Sequence, residues 1–455
     1  MQNNLNALQQ FFNTNATTSY QFRRNSLLKL KATLLKYEQE IYAALYTDLK
    51  KSKEDAYVTE LGLVLSEISH TLKHLKKWMA PKRVGTNLLN LPGSSKIYKQ
   101  PLGVVLIIAP WNYPLQLALM PLVGAIAAGN CVVLKPSELA PQTASITQII
   151  LDEAFASQHV ITLQGDGATV VGQAISNFTF AHIFYTGSTQ VGKIIYKQAA
   201  ETLTPVTLEL GGKSPCIVTE TANIKVAAKR ITMAKFSNCG QMCITPDYVL
   251  VHHSVKNALI TEIINCITQF YTANPQVSNS YGKIINQKRF NEICAYLTQG
   301  TIAHGGKTAS DKLYIEPTLL TNVALNSPIM QQEIFGPILP ILTYQTQQEA
   351  VDIIAQNPDP LALYVYTNTE ADKKCFIENI SFGGGCINNS VFHITNTNLP
   401  FGGIRNSGLG SYHGVSTFNL FTHHKSVLSS ATWFNPAIKF PPFDGRLNIF
   451  KKIMR

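Results

Sequence analysis

From residue 103 onward, short unbroken apolar runs alternate with segments whose apolar residues recur at helical spacing. GVVLIIAP (103–110) is the clearest run. It is continuous and bounded by Gly and Pro, the pattern of a strand buried on both faces. Gln116–Gly129 follows at helical spacing, and the pair Gly129–Asn130 predicts its end. CVVLKPS (131–137) predicts a second strand. Next come a helix at 142–156, a strand at 160–164, a helix at 169–176, a strand at 181–186 and a helix at 189–200. TPVTLEL (204–210) closes the series. Such alternation predicts a parallel sheet with helices on both faces, the architecture of a dinucleotide-binding domain.

A second series begins after Gly211–Gly212. SPCIVTE and YVLVHHS (248–254) predict strands around a helix at 225–237, and LALYVYT (361–367) predicts another buried strand. Helices are expected near 256–270, 346–356 and 370–379. Upstream, residues 5–80 carry helical spacing without a strong strand, which predicts two or three amphipathic helices. Residues 82–102 and 415–435 alternate weakly and predict a strand arm for oligomer contacts. The fold class is therefore α/β: two doubly wound parallel-sheet domains with a small strand arm. The first domain takes residues 1–81 and 103–208, the second 209–400.

Composition narrows this picture. Hydrophobic residues make up 45% of the 455 and charged residues 14%, so large cores form and disorder is not expected. The eight cysteines, at 131, 216, 239, 243, 266, 294, 375 and 386, lack paired CxxC spacing. They fit a reducing cytoplasm better than a disulfide framework. MQNNLNALQQFF has no basic stretch followed by an apolar one, so no signal peptide is visible. The net charge of +11 invites a nucleic-acid reading. Its densest clusters, KHLKKWMAPKR (73–83) and the tail from Arg446, show neither the Gly-aromatic RNA signature nor zinc-finger spacing. No nucleic-acid partner is expected. The tail RLNIFKKIMR does mix Leu447, Ile449, Phe450 and Ile453 with basic residues, a composition suited to weak contact with a membrane surface.

Two glycine segments compete for a phosphate. GDGATV (165–170) begins like GxGxxG but has Val170 where the third glycine belongs. YTGSTQVGK (185–193) runs from a strand through Gly187 into a helix whose free N–H groups favour a pyrophosphate, or it is simply a packing turn. LKPSE (134–138) ends another strand at the same edge. There Lys135 and Glu138 either hold ribose hydroxyls or form a surface ion pair beside a Ser137 cap.

SNCGQMCITPD (237–247) places Cys239 and Cys243 four apart. A metal site needs three or four ligands, and the stretch does not supply them, so no metal is expected. Gly240 and Pro246 predict that a helix ends here and leaves Cys243 in a loop, where a substrate can reach a thiol.

Read together, PWNYP (110–114), LELGGKSP (208–215), NCGQMC (238–243), EIFGP (333–337) and LPFGGIRNSGLG (399–410) resemble the aldehyde dehydrogenase superfamily. The motifs come in the family's order and span about residues 20 to 430. TPDYVL after the thiol and the ending GSYHGVSTFNLFTHHKS look most like the class-three, fatty-aldehyde branch. The resemblance implies NAD(P)-dependent oxidation of an aldehyde to a carboxylic acid, with the first domain binding NAD or NADP and the second catalytic. Cys243 matches the nucleophile that gives a thiohemiacetal and then a thioester. Asn112 matches the oxyanion donor and Glu209 the base that activates water. Glu333 and Phe335 match the contacts to the nicotinamide ribose and ring, Lys135 and Glu138 the adenosine-ribose pair, and Gly187, Ser188 and Gly192 the pyrophosphate turn. Leu210 joins the cofactor set.

Tyr113, Met242 and Ile394 are candidate walls of an apolar substrate tunnel, and the branch implies a homodimer. An acylating variant, in which coenzyme A takes the thioester, is disfavoured by Glu209. A non-catalytic protein of the same fold is disfavoured by the intact thiol and base. Cys239 stands where the family has small residues; as a neighbour of the nucleophile it invites a disulfide or sulfenamide on oxidation. Arg405 stands where class-three relatives often have glycine, and His413 is placed where a titratable group would tune the site.

Overall fold

The computed structural model describes residues 1–454. Five parallel strands form the first sheet, in the spatial order Val160–Thr162, Cys131–Lys135, Val104–Ile108, His182–Thr186, Val206–Glu209. Counted along the chain this is third, second, first, fourth, fifth, the order of a dinucleotide-binding sheet. The chain returns much later to add Gly408–Leu409, antiparallel to Val206–Glu209.

Both faces of the central strand are buried. Val104, Leu106 and Ile108 join one cluster, Val105 and Ile107 another, because successive strand residues point to opposite faces. Full burial of each such side chain contributes about 1.5–3 kcal/mol. The helix Gln2–Asn13 covers the first face through Leu5 and Leu8. On the other face lies Gln116–Ala128, buried along its whole length and packed under Tyr20–Lys36 and Gly62–Met79. Its end is set by Gly129, at φ 91°, a conformation only glycine adopts without strain. Asn130 then ties three segments together: its Oδ1 accepts from Leu102 (2.8 Å) and Gly103 (3.0 Å), and its Nδ2 donates to Ala125 (3.1 Å) and Phe421 (2.9 Å).

The second sheet has seven strands, in the order Thr301–His304, Thr318–Thr321, Ile338–Tyr344, Tyr248–His252, Pro215–Val218, Ala362–Tyr366, Gly384–Ile387. All neighbours are parallel except the first pair. A third sheet of three antiparallel strands, Lys82–Val84, Ser94–Pro101 and Thr422–Ser429, stands apart.

Several expectations are corrected. The stretch over 5–80 divides more finely than two or three helices, into Gln2–Asn13, Tyr20–Lys36, Glu38–Leu49, Lys53–Ala56 and Gly62–Met79, with a wide π turn at Tyr57–Leu61. Val415–Leu420 is helical, and the arm strand begins only at Thr422. Thr301–His304, Thr318–Thr321, Ile338–Tyr344 and Gly384–Ile387 are strands that the apolar pattern did not predict. In Ile338–Tyr344 the pairing changes sides at Pro340: residues up to Pro340 pair with Thr318–Leu320, and residues from Ile341 pair with Val249–His252. The missing proline N–H therefore breaks no ladder bond on the second side.

Candidate active site

A cavity of about 840 Å³ opens where the strands of the first sheet end. Pro110–Asn112 follow Val104–Ile108, Leu139 follows Cys131–Lys135, Thr186–Ser188 end His182–Thr186, and Glu209–Gly211 end Val206–Glu209; all line it. The carboxyl edge of a parallel sheet is where such folds take their ligands. The opposite wall comes from the second half of the chain: Cys243, Ile285–Asn286, Lys288–Arg289, Glu292 and Gln332–Glu333 with Phe335.

Cys243 reaches the cavity through an unusual loop. The helix Ile224–Phe236 ends, and Asn238, Cys239 and Gly240 follow with φ of 47°, 53° and 71°. Two non-glycine residues in this region cost on the order of 1 kcal/mol or more each. Gln241 offsets that cost. Its Nε2 donates to Asn238 O and Lys283 O, both at 3.0 Å, and its Oε1 accepts from Ile285 N at 3.0 Å. Asn112 is bound to the same loop, its Nδ2 donating to Gln241 O at 3.0 Å, while Asn238 Nδ2 donates to Asn112 O at 2.8 Å. The amide nitrogen of Asn112 has a second N–H beyond that bond.

Electrostatics of the three groups are coupled. Burial pushes the half-buried Cys243 thiol up, and nearby Glu333 and Glu209 add to this, while the Cys243 and Ile244 N–H groups pull it down. Burial raises Glu209 well above the usual carboxylate range, and neither of its oxygens has a hydrogen-bond partner. Burial, then the charge of Asp247, pushes Glu333 up to about 8. Neutral carboxyl groups beside the sulfur remove the repulsion that opposes a thiolate. The Tyr412 hydroxyl, also buried without a partner, lies close enough to feel Glu209 and Cys243.

Glu333 and Phe335 are anchored by four residues that no sequence signal marked for this role, Lys213, Asp247, Arg289 and Gly211. Lys213 pairs with Asp247, and Asp247 Oδ1 accepts from Ile334 N at 3.1 Å. Arg289 donates to Ile334 O. Gly211 leaves the space for Glu333: a Cβ there would stand 2.0 Å from Glu333 Oε2. The Phe335 ring meets Trp111 edge-on at 5.3 Å.

Gly187 and Ser188 line the cavity, and Ser188 caps the helix Thr189–Ala200. Gly192 does not reach it and instead packs against Leu210. Lys135 Nζ and Glu138 Oε2 pair at 2.7 Å, and Glu138 Oε1 accepts from Gly167 N at 2.9 Å. These two stand beside Leu139 and outside the cavity lining. The GDGATV segment thus holds Glu138. Tyr113, Met242 and Ile394 do not line this cavity either. Tyr113 lies under Lys51 Nζ, 3.8 Å from the ring centroid, and donates to Met242 Sδ at 3.6 Å. Cys239 is buried, with its thiol pushed up to about 12 by burial. Arg405 is exposed and reaches Asp359 at 3.3 Å. His413 is buried against Phe401 with both ring nitrogens unpartnered, and burial lowers it to about 3; it does not titrate near neutrality.

Under the PWNYP turn lies a pair that no sequence signal marked. Lys51 Nζ meets Glu60 Oε1 at 2.6 Å, both side chains fully buried. Glu60 Oε2 accepts from Leu115 N (2.9 Å) and Gln116 N (3.1 Å). Glu60 sits in the π turn, whose extra residue aims it inward.

A family model described as aldehyde dehydrogenase family matches residues 2–427. The chain belongs to the aldehyde dehydrogenase family. It is 47% identical to a Staphylococcus aureus 4,4'-diaponeurosporen-aldehyde dehydrogenase, over 98% of this chain and 97% of that one. It is 41% identical to human aldehyde dehydrogenase family 3 member B1, over 96% and 94%. These relatives support the class-three branch. A substrate-bound Staphylococcus aureus AldH structure superposes with a TM-score of 0.97 at 46% identity, covering 100% of this chain and 99% of that one. An indole-3-acetaldehyde dehydrogenase in complex with NAD+ gives 0.85 at 27% identity, covering 94% and 88%. This aldehyde dehydrogenase is thus an NAD- or NADP-dependent aldehyde oxidoreductase. The cavity fits such a cofactor in volume and in its glycine-walled carboxyl edge. Among the described residues no helix is long and apolar enough to cross a membrane.

Proposed function

We propose that this enzyme oxidises apolar aldehydes with Cys243 as nucleophile, Asn112 as oxyanion donor and Glu209 as general base. The observation that carries this reading is the convergence of the three on one cavity at the carboxyl edge of the first sheet. The Cys243 sulfur attacks the carbonyl carbon, and the oxygen takes up the electron pair. The free Asn112 N–H and the Cys243 backbone N–H hold that oxyanion. The nicotinamide, when bound, supplies the hydride acceptor. Glu209 then takes a proton from water, whose oxygen attacks the thioester and returns the sulfur as thiolate with release of the carboxylic acid.

Gly187 and Ser188 would hold the pyrophosphate, Glu333 and Phe335 the nicotinamide ribose and ring, and Lys135 and Glu138 the adenosine ribose. Gly192 and Leu210 support that edge by packing. Residues 1–81 and 103–208 form the cofactor-binding domain on this reading, and 209–400 the catalytic one. The diaponeurosporen aldehyde named for the Staphylococcus aureus relative is the substrate type we extend to this chain. Trp111, Leu117, Ile285 and Phe335 give the cavity apolar walls that suit it. All eight cysteines are free, in accord with a reducing cytoplasm.

The test is turnover of an aldehyde panel with NAD and with NADP. Cys243→Ser is expected to abolish reduced-cofactor formation while cofactor binding, read by fluorescence, persists. Undiminished turnover in Cys243→Ser refutes the assignment.

A further inference from the structure

Lys51 stands at a break between two helices. The helix Glu38–Leu49 ends at Lys50, whose φ is 57°. Ser52 caps the next one, Lys53–Ala56, by accepting from Asp55 N at 3.1 Å. Between these fixed points the Lys51 side chain turns inward and is fully buried. Burying an ammonium costs heavily unless its donors find partners. Here it has three. Nζ donates to Glu60 Oε1 at 2.6 Å and to Asn112 O at 3.4 Å, and it lies 3.8 Å from the centre of the Tyr113 ring.

An ion pair serving stability alone needs only the first of these contacts. The other two lead to the nucleophile. Asn112 O accepts from Lys51 on one side and from Asn238 Nδ2, at 2.8 Å, on the other. The Asn112 side chain donates to Gln241 O at 3.0 Å, and the Tyr113 hydroxyl donates to Met242 Sδ at 3.6 Å. Gln241 and Met242 are the two residues before Cys243. Glu60 fixes the far side of the same turn. Its Oε2 accepts from Leu115 N and Gln116 N where the helix Gln116–Ala128 begins, and such N–H groups have no carbonyl partner within a helix. One buried charge pair therefore grips Asn112, Tyr113, Leu115 and Gln116. Neither member of the pair lines the cavity.

We infer that Lys51 is a positioning residue for the oxyanion donor, with Glu60 holding its ammonium in place. By fixing the Asn112 carbonyl, Lys51 sets the direction of the side-chain N–H that Gln241 leaves free. That direction decides where the developing negative oxygen is held. The inference rests on the proposed role of Asn112. Charge on the oxygen grows only on the way to the tetrahedral intermediate, so the effect falls on the chemical step and not on aldehyde binding.

The experiment is a stopped-flow measurement of the first turnover of reduced cofactor over a range of aldehyde concentrations. Removing one charge strands the other, so the variant is Lys51→Met with Glu60→Gln, in which the Gln oxygen still accepts from Leu115 and Gln116. Its maximal rate is expected to fall roughly 10–100-fold, the cost of a misplacement near 1 Å. The half-saturating aldehyde concentration changes little. Asn112→Ala is expected to cost about 10²–10³. Adding the two substitutions to Asn112→Ala then costs almost nothing more, because Lys51 acts through Asn112. Losses that multiply overturn the inference, as does an unchanged maximal rate or a loss confined to aldehyde binding. Failure of the Lys51→Met, Glu60→Gln variant to bind the cofactor, read by fluorescence, overturns it too, by assigning the pair to the stability of the fold. An undiminished rate in Asn112→Ala sinks the oxyanion role itself, and this inference with it.

Discussion

Gln241 shows how much of this site depends on one side chain that touches no substrate. Three hydrogen bonds from its amide hold a loop with successive left-handed residues, and its carbonyl receives the Asn112 amide. Gln241→Ala is expected to lower kcat by roughly 10–100-fold, since displacements near 1 Å cost about that much. The KM for the cofactor should change little; steady-state kinetics separate the two. Glu209 makes a pH prediction. Burial raises its pKa, and a base works only when deprotonated, so kcat rises with pH through that raised pKa wherever hydrolysis limits the rate. Glu209→Gln should flatten this limb and lower kcat by about 10²–10⁴. The first-turnover burst of reduced cofactor, followed in a stopped-flow instrument, should persist, because thioester formation precedes the step that needs the base.

At the scale of elements, the helices over residues 20–80 act as scaffolding for the site. Lys51 and Glu60 hold the turn that presents Asn112, and loss of one partner would strand a buried charge. Glu67, on the helix Gly62–Met79, has one oxygen accepting from Gly414 N at 3.1 Å and the other unpartnered. Burial raises this carboxyl from 4.5 to about 7. With a folded pKa above the unfolded one, its contribution to stability is fully present below pH ~4.5 and is lost as pH rises through about 7. At 1.36 kcal/mol per unit the loss is roughly 3 kcal/mol. Glu67→Gln keeps the acceptor and removes the charge. Its Tm should therefore exceed that of the parent at pH 8 and match it more nearly at pH 5, as thermal unfolding at the two values will show.

At the scale of the whole molecule, the three-stranded arm has too little core to account for itself. Val84, Leu88, Leu91, Val427 and Leu428 are exposed on or beside it, and such a patch on a protein surface marks a partner. A homodimer through this arm accords with it. Sedimentation should give twice the chain mass, and Val427→Lys with Leu428→Lys should give the monomer.

The parallel strands of the first sheet could be read in the sequence because strands buried on both faces are unbroken apolar runs, as at Val104–Ile108 and Cys131–Lys135. The nucleophile's loop was readable too, since Gly240 and Pro246 both disfavour continuing the helix that precedes them. Strands such as Ile338–Tyr344, with Pro340 inside, and Gly384–Ile387, with its glycines, could not be, because only the neighbouring strands make those residues acceptable there. Lys51 and Glu60 were invisible for a related reason: nothing in a helical stretch distinguishes a charge that will be buried from one that will meet water. Local chain chemistry thus determined the doubly buried strands of the first sheet, the turn that carries Cys243 and the reactive groups of this protein. Tertiary packing alone decided which polar side chains lost their water and, with it, the pKa values on which Cys243 and Glu209 depend.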